Sequence, residues 1–313
     1  MAKPRSRRPP SRLKLLSRAE DAGEPLASFI ARRGGISEEE ARAAVSRGGA
    51  FVAGKRVKDA ARAIAPGERV EVLLRERGDP PGTPVPLDAA RILHVDAQVV
   101  CVDKPAGVLA QEGRAGGPAL PELVGDLLRA RGEPAQALLV HRLDRGTTGC
   151  TVLARTRGAL AALLEEFREG RARKEYRAWV RGEPREDAFT VDFSLGPDPF
   201  APNKQRVHAQ GEPARTRVEV LARRPGVALV AAFPETGRTH QIRVHLAALG
   251  LPLLGDARYG GPQEMTGPTG ARLELPRPLL HALRLALAHP AGGALSISAP
   301  LPRDFAEVAL FFG

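Results

Sequence analysis

The chain has 313 residues, of which 43% are hydrophobic and 27% are charged. This apolar fraction is enough for a sizeable core and excludes a wholly disordered chain, and the length allows one large domain or two ordinary ones. Lys and Arg number 47 against 36 Asp and Glu, a net charge of +11, which indicates a polyanionic partner such as a nucleic acid, although part of the excess is typical of the Arg-rich composition of GC-rich genomes.

The cysteine content and the lengths of the apolar runs indicate the cellular compartment. With only Cys101 and Cys150, the chain cannot build a disulfide framework or a cysteine-rich zinc site, which favours a reducing cytoplasm. No apolar run approaches the roughly 20 residues that span a bilayer, so we expect no membrane partner. The first eighteen residues carry seven basic side chains, no acid and no signal-peptide core, which predicts a flexible basic arm at 1–18.

Residues 19–75 are predicted to form a small unit of two helices followed by short strands. The first helix covers Pro25–Arg33, and the second begins after Ser37, an N-cap whose capping box is completed by Glu40. Strands are expected at 50–52 and 69–74. A Pro- and Gly-rich linker follows at 76–87.

Residues 88–313 are predicted to form a second unit in which strands outnumber helices and do not alternate strictly with them. This order predicts an α+β fold with a central, mainly antiparallel sheet. The predicted strands lie at 99–102, 151–154, 176–180, 215–221, 227–233 and 294–298, and the predicted helices at 120–131, 157–169 and 241–249.

The densest cluster of functional side chains is HRLDRGTTGC at 141–150. Asp144 lies there in a predicted loop between apolar strands, with Arg142 and Arg145 on either side and glycines that suit tight turns. Nearby cations would keep this carboxylate ionised and able to act as a nucleophile. The alternative is a structural salt bridge to a neighbouring arginine.

Two other segments carry suggestive polar patterns. In the predicted strand RKEYRAWVR, Lys174 and Tyr176 share a face, and a tyrosine beside cations can stack on a nucleobase; the alternative is a core aromatic. In PETGRTHQIRVHL, Thr239 is a candidate cap for a helix from His240, and Arg243 either pairs with a carboxylate from another segment or is solvated.

Sequence motifs for cofactors and metals are absent. The chain contains no GxxxxGK[ST] phosphate loop, no GxGxxG after a strand and no GxSxG elbow, so we predict no nucleotide cofactor and no serine hydrolase site. His240 and His245 are five residues apart and do not share a helix face, so we also predict no metal site.

In chain order, the motifs DKPAGV, HRLDRGTTG, RKEYRAWVRG, ETGRTHQIRVHLAALGLPLLGDARYGG and LLHALRLALAHP resemble those of the RluA family of pseudouridine synthases, from about position 92 to 302. The segment ISEEEARAAVSRGGAFVAGKRV is similar to an S4 RNA-binding domain, which many family members carry ahead of the catalytic domain. The resemblance implies the pseudouridine synthase fold and a cofactor-free isomerase acting on structured RNA. In that reaction the C1′–N1 bond of a uridine breaks, the uracil rotates, and C5 joins C1′.

The resemblance also implies residue roles. Asp144 is the nucleophile, attacking C1′ or C6 or acting as a base at C2′; Tyr176 stacks on the base and assists proton transfer from C5, and Arg243 pairs with the aspartate. Arg142 is expected to enter the space that the flipped-out nucleotide vacates. We assign to substrate binding His141, Thr147, Thr148, Lys174, Arg238, Thr239, His240 and Gln241. In the first unit, the residues expected to track phosphates are Arg32, Arg33, Arg47, Lys55 and Arg56.

The sequence departs from the family pattern at Gly146, where the family often has Asp and where glycine is expected to loosen the loop, and at Cys150, a packing position.

One alternative function is an RNA-binding or assembly protein with a vestigial site. Another is a hydrolase that pairs Asp144 with a second acid, for which the candidates are Glu175, Glu235 and Asp256. Ribosomal RNA is favoured over transfer RNA as the target, because an S4-like unit suits a large structured RNA, and a monomer is the default.

Overall fold

The computed structural model describes residues 12–46, 49–73, 87–111, 119–201, 203–267 and 270–313. Most of the predicted arm, the greater part of the predicted linker and Arg47 lie outside the described residues. The described residues fall into two units, one before position 79 and one after it. No helix in the described ranges is long and apolar enough to cross a membrane.

The first unit contains two helices and a four-stranded antiparallel sheet in the order β1-β4-β2-β3. Its elements are β1 (Arg12–Leu16), α1 (Leu26–Gly34), α2 (Glu38–Ser46), β2 (Ala50–Val52), β3 (Lys55–Val57) and β4 (Arg69–Leu73). The helices pack on the sheet through Leu26, Phe29, Ile30, Val70 and Val72, all of which are buried. Both predicted helices and both predicted strands are confirmed.

The predicted capping box of α2 is confirmed. The Ser37 hydroxyl accepts a hydrogen bond from the Glu40 amide at 3.2 Å, and the Glu40 carboxylate accepts one from the Ser37 amide at 3.2 Å. The prediction that a flexible arm extends to residue 18 is wrong. Arg12–Leu16 form β1, which pairs in register with Arg69–Leu73, because the alternate residues Leu13 and Leu15 pack against the core of this unit.

The second unit is an α+β domain, as predicted. Its helices are α3 (Leu120–Ala130), α4 (Arg157–Arg168), α5 (Gln241–Ala248) and α6 (Arg303–Phe312). Its strands are β5 (Ile92–Val95), β6 (Val99–Lys104), β7 (Leu138–Leu139), β8 (Thr148–Ala154), β9 (Arg173–Arg181), β10 (Ala188–Asp192), β11 (Leu195–Pro197), β12 (Gln205–Val207), β13 (Arg215–Arg224), β14 (Val227–Pro234), β15 (Glu264–Thr266), β16 (Arg272–Glu274), β17 (Leu280–Ala288) and β18 (Ala294–Ser298).

A ten-stranded sheet organises this unit in the order β10-β13-β14-β9-β17-β8-β6-β5, with β18 beside β17 and β7 beside β8. Among the described residues, β17 and β8 form its one parallel pair, so the expectation of a mainly antiparallel sheet is confirmed. The six predicted strands and three predicted helices are all present. Strand β17 was not predicted, because its period-2 pattern is interrupted by a bulge between Ala282 and Arg284.

Helices cover both faces of the sheet, so its central strands are buried on two sides. Along β6, Val99 and Cys101 join the core that includes α4, whereas Val100 and Val102 join the core that includes α3. Along β9, Ala178 packs with α5, whereas Trp179 packs with α6 on the opposite face. Trp179 is therefore a core aromatic, and its indole N–H donates to the Phe305 carbonyl at 3.2 Å.

Candidate active site

Asp144 lies on a loop between β7 and β8, residues 143–147, which we name the aspartate loop. The Thr147 amide donates to the Asp144 carbonyl at 3.0 Å, which closes a tight turn. The Lys104 ammonium donates to the Arg145 carbonyl at 3.3 Å, and the Arg277 guanidinium donates to the Gly146 carbonyl at 3.2 Å. Two buried basic side chains therefore hold the loop by its main chain, and the expectation that Gly146 loosens it stays a prediction.

Each of these two cations is anchored on a second part of the fold. Lys104, at the end of β6, also donates to the carbonyls of Pro105 and Val108, and burial lowers the pKa of its ammonium to about 7. Arg277, just ahead of β17, forms two hydrogen bonds of 2.7 and 2.8 Å with the Asp304 carboxylate of α6. The position of Asp144 therefore depends on β6, β17 and α6.

Arg243 of α5 connects two carboxylates. Its guanidinium donates from Nε and Nη2 to Asp256 at 2.7 and 2.8 Å, and from Nη1 to Asp144 at 3.0 Å. Arg243 and Asp256 are buried, whereas the Asp144 side chain keeps 23% of its surface exposed. The bidentate contact fixes the plane of the guanidinium, and the remaining donor therefore aims at Asp144.

The charge state of Asp144 follows from these contacts. Burial acts to raise the pKa of this carboxyl, but His240, Arg243 and Arg142 together lower its pKa below the usual value. Burial also lowers the pKa of His240 to about 4, so this imidazole is neutral near neutral pH and contributes no charge there. We therefore attribute the ionised state of Asp144 mainly to Arg243 at 3.0 Å.

His240 is held beside Asp144 in a fixed orientation. It is the N-cap of α5 and has a left-handed backbone with φ of 57°, a strained conformation for a residue other than glycine. Its Nδ1 lies 2.7 Å from the Tyr259 hydroxyl, which accepts a hydrogen bond from the Gln205 amide. Tyr259 can therefore donate its own proton to Nδ1, which leaves the N–H on Nε2, 3.8 Å from the Asp144 carboxylate.

Asp144 and Arg243 line an open cleft of about 780 Å³. Lys174 and Tyr176, two residues apart on β9, lie on the same face of this strand and line the same cleft. Burial and the charge of Asp144 raise the pKa of the Tyr176 phenol, so it stays protonated. The Lys174 ammonium donates to the Thr236 carbonyl at 2.9 Å, and burial lowers its pKa to about 8.

The three residues assigned to catalysis thus lie together, and six of the eight assigned to substrate binding line the cleft with them: His141, Thr147, Lys174, Arg238, His240 and Gln241. Arg142 also lines it and donates to the Thr239 hydroxyl at 2.7 Å. Thr239 therefore supports Arg142, and the prediction that it caps α5 is wrong because His240 occupies that position.

Two assigned residues are committed to internal hydrogen bonds. Thr148 is buried, and its hydroxyl lies 2.8 Å from Nδ1 of the buried His281, so its assignment to the pocket wall is wrong. Gln241 uses both amide protons and both oxygen lone pairs internally. It accepts from the Thr236 hydroxyl and the Arg238 amide, and it therefore fixes the cleft wall at 236–238 instead of offering a free group to substrate.

His141 also has a supporting contact. Its Nε2 accepts the Val152 amide at 3.1 Å, and its ring stacks on Phe167 at 4.6 Å. Burial lowers the pKa of His141 to about 3. It is therefore a neutral part of the cleft wall.

The basic residues of the first unit differ in their availability. Arg32 and Arg33 both bond to the buried Asp21, with further ion pairs to Glu24 and Glu20 respectively. Lys55 and Arg56 lie exposed on β3, and the Arg56 guanidinium lies 5.3 Å from the centre of the Phe51 ring. Neither has an ion pair with another described residue. Lys55 and Arg56 are therefore available to an anionic partner.

One trio of possible metal ligands occurs among the described residues, and it lies outside the cleft. His94 and His289 each direct Nε2 at the same Asp96 oxygen, at 2.6 and 3.1 Å. The Ala291 amide donates to Nδ1 of His289 at 3.2 Å, so Nε2 of that ring carries the proton. A metal would need this nitrogen's lone pair, and we interpret the trio as a hydrogen-bonded cluster.

Tyr259 and Arg277 were not predicted as site residues, and Asp256 was considered only as an acid. Asp256 and Tyr259 belong to the GDARYG segment, which the resemblance included but to which no role was assigned. Their function depends on contacts with α5 across the fold. No local pattern in the sequence pairs them with Arg243 and His240.

Comparison with known proteins shows the family of the chain. A family model described as RNA pseudouridylate synthase matches residues 98–248, which include Asp144, Tyr176 and Arg243. The dual-specificity RNA pseudouridine synthase RluA of Escherichia coli (strain K12) is 39% identical over 217 residues, which are 68% of this chain and 93% of that protein.

A longer match and a solved structure extend the comparison. An uncharacterized RNA pseudouridine synthase of Mycobacterium bovis is 34% identical over 293 residues, 90% of this chain and 92% of that protein. The structure of human RNA Pseudouridylate Synthase Domain Containing 4 superposes with a TM-score of 0.58 at 30% identity, over 71% of this chain and 93% of that chain. These matches define the class: the chain is an RNA pseudouridine synthase, an isomerase. Within this class it belongs to the RluA family.

The contact between Tyr259 and His240 can be tested by NMR. With ¹⁵N-labelled histidine at neutral pH, we expect His240 to show a protonated Nε2 and an unprotonated Nδ1. Tyr259→Phe removes the hydroxyl that donates to Nδ1, and the ring should then shift toward a mixture of tautomers. Tyr176→Phe is the matched control, because the Tyr176 hydroxyl makes no hydrogen bond with a described residue. A protonated Nδ1 in the unmodified protein would refute the assignment.

Proposed function

We propose that the cleft isomerises a uridine of a structured RNA to pseudouridine, with Asp144 as the nucleophile and ribosomal RNA as the favoured target. One observation carries the proposal. Asp144 is an ionised carboxylate at the edge of the cleft, aimed by the buried Arg243, and it lines the same space as the Tyr176 phenol. A nucleoside in this space would meet a nucleophile and an aromatic platform together.

The target uridine must leave its helix before it can enter the cleft. Extruding a base costs a few kcal/mol, and stacking on the Tyr176 ring would return about 1–3 kcal/mol of this. Arg142 is exposed at the cleft and can occupy the vacated position in the RNA helix. Its bond to Thr239 at 2.7 Å orients it in the absence of RNA.

The chemistry requires one carboxylate and one proton carrier. Asp144 attacks C1′ or C6, or removes a proton at C2′, as the C1′–N1 bond breaks and the uracil rotates so that C5 joins C1′. The proton at C5 must then leave, and N1 must gain one. Tyr176 stays neutral because its pKa is raised, so its phenol can relay the C5 proton only by releasing its own proton to solvent in the same step. The family resemblance implies such an assisting role.

The first unit is proposed to add affinity for RNA as an S4-like domain, with Lys55 and Arg56 as its available phosphate contacts. The Mycobacterium bovis match spans 293 residues, more than residues 87–313 contain, so it includes part of this unit. Arg32 and Arg33 are engaged by acidic side chains, and we expect a smaller contribution from them.

The arrangement of acids disfavours the hydrolase alternative. Glu175 pairs with Arg177 at 2.6 Å and projects from the other face of β9 from Tyr176. Asp256 is bound bidentately by Arg243, and Glu235 pairs with Arg215 at 3.3 Å. None of these three candidates is a free carboxylic acid beside Asp144. A vestigial site is also disfavoured, because Asp144, Tyr176 and Arg243 all line one cleft.

Asp144→Asn tests the nucleophile. The amide keeps the size of the carboxylate but is not a nucleophile, so we expect pseudouridine formation to fall by at least about four orders of magnitude while RNA affinity stays within a few fold. Mass spectrometry of RNA from single-turnover reactions measures the product. Asp126→Asn, an exposed change on α3, is the control and should react normally. Retained turnover in Asp144→Asn would reject the assignment.

The substrate-binding role of Lys174 predicts a pH dependence. Its pKa of about 8 in the folded protein means that the ammonium charge is present below pH 8 and is lost as the pH rises through this value. RNA affinity should therefore weaken between about pH 7 and 9. Lys174→Arg keeps its charge over this range and should remove this part of the weakening. Identical pH profiles in binding titrations of both proteins would contradict the role.

A further inference from the structure

A second groove, of about 890 Å³, opens beside the active-site cleft. It is lined by the start of β9, with Arg173 and Glu175 on the face opposite to Tyr176, and by neighbouring strands. We name it the arginine groove, and its characteristic side chains are Arg173, Arg217, Phe233 and Arg284. The groove adjoins the cleft, because both are lined by Gly170, Lys174, Pro234 and Glu235.

Strand pairing places these side chains in the groove. Arg217 of β13 lies opposite Phe233 of β14, and its guanidinium stacks 4.0 Å from the centre of the phenyl ring. Arg173 of β9 lies opposite Ala286 of β17. The alanine methyl group is too short to cover the arginine, so the Arg173 guanidinium stays exposed.

The groove carries cations that the fold does not neutralise. Arg173 makes no side-chain hydrogen bond or ion pair with any described residue. Arg284 donates to the Ser296 hydroxyl at 3.1 Å and pairs with no described carboxylate. The two acids of the groove, Glu175 and Glu235, are already paired with Arg177 at 2.6 Å and with Arg215 at 3.3 Å. Two exposed arginines are therefore available to an anionic partner.

We propose that the arginine groove binds the sugar-phosphate backbone of the RNA strand that flanks the flipped-out uridine. This inference rests on the proposed function, because it takes the uridine to occupy the cleft. Arg173 and Arg284 contact phosphates, and the Arg217–Phe233 pair provides a flat surface for a flanking base. An RNA strand is favoured over an acidic protein because the groove adjoins the cleft in which the uridine is proposed to bind.

The binding of phosphates can be measured by salt dependence. Arg173→Ala/Arg284→Ala removes two cations, so the affinity for a single-stranded oligouridylate should fall about tenfold or more at 0.1 M salt. The plot of log K against log salt should become shallower by about 0.7 for each phosphate that is no longer neutralised. Arg173→Lys/Arg284→Lys keeps both charges and should retain most of the slope.

The control is the double variant Arg185→Ala/Arg303→Ala. It removes the same charge from exposed positions that line neither the cleft nor the arginine groove, so this variant should bind RNA normally. All pairs are compared in the Asp144→Asn background, where binding is measured without chemistry. Equal affinity and slope in the groove pair and the control pair would overturn the proposal and leave this surface to a partner other than RNA. Failure of the proposed function would appear separately, as turnover retained by Asp144→Asn alone.

Discussion

The site depends on one buried guanidinium shared by two carboxylates. Arg243 is bound on one side by the buried Asp256 and on the other by Asp144. A buried charge is tolerated only when it is paired, so the fold must keep α5, the loop that carries Asp256 and the aspartate loop together. The same pairing keeps Asp144 ionised and directed into the cleft. Structural stability and chemical competence therefore rest on the same contacts.

The aspartate loop is held through main-chain groups and not through the side chain at position 146. Lys104 and Arg277 bond to the carbonyls of Arg145 and Gly146, contacts that any residue at 146 would offer. Arg277 is in turn held by Asp304 of α6. These contacts involve no side chain at 146, and they connect the aspartate loop to elements that are distant in sequence.

Local sequence patterns predicted most of the helices and strands that position the site. They could not predict contacts between segments that are distant in sequence. The capping box of α2 and the alternation of Lys174 and Tyr176 along β9 are local and were confirmed. Thr148 was misassigned because adjacent residues at a strand start face opposite sides, and only the fold shows that its side is the interior. Arg32 and Arg33 meet acids at 20, 21 and 24, and the pairing of Arg243 with Asp256 is likewise tertiary.

The most direct test of this account is the ionisation of Asp144 itself. In protein labelled with ¹³C at aspartate carboxyl carbons, its titration can be followed in the full-length chain before and after the double change Arg243→Gln/Asp256→Asn, which removes the cation and its buried counter-ion together. We predict a pKa below the ordinary aspartate value in the unmodified protein, and a rise when the guanidinium 3.0 Å from Asp144 is removed. A pKa at or above the ordinary value in the unmodified protein, or no rise in the double variant, would contradict this assignment.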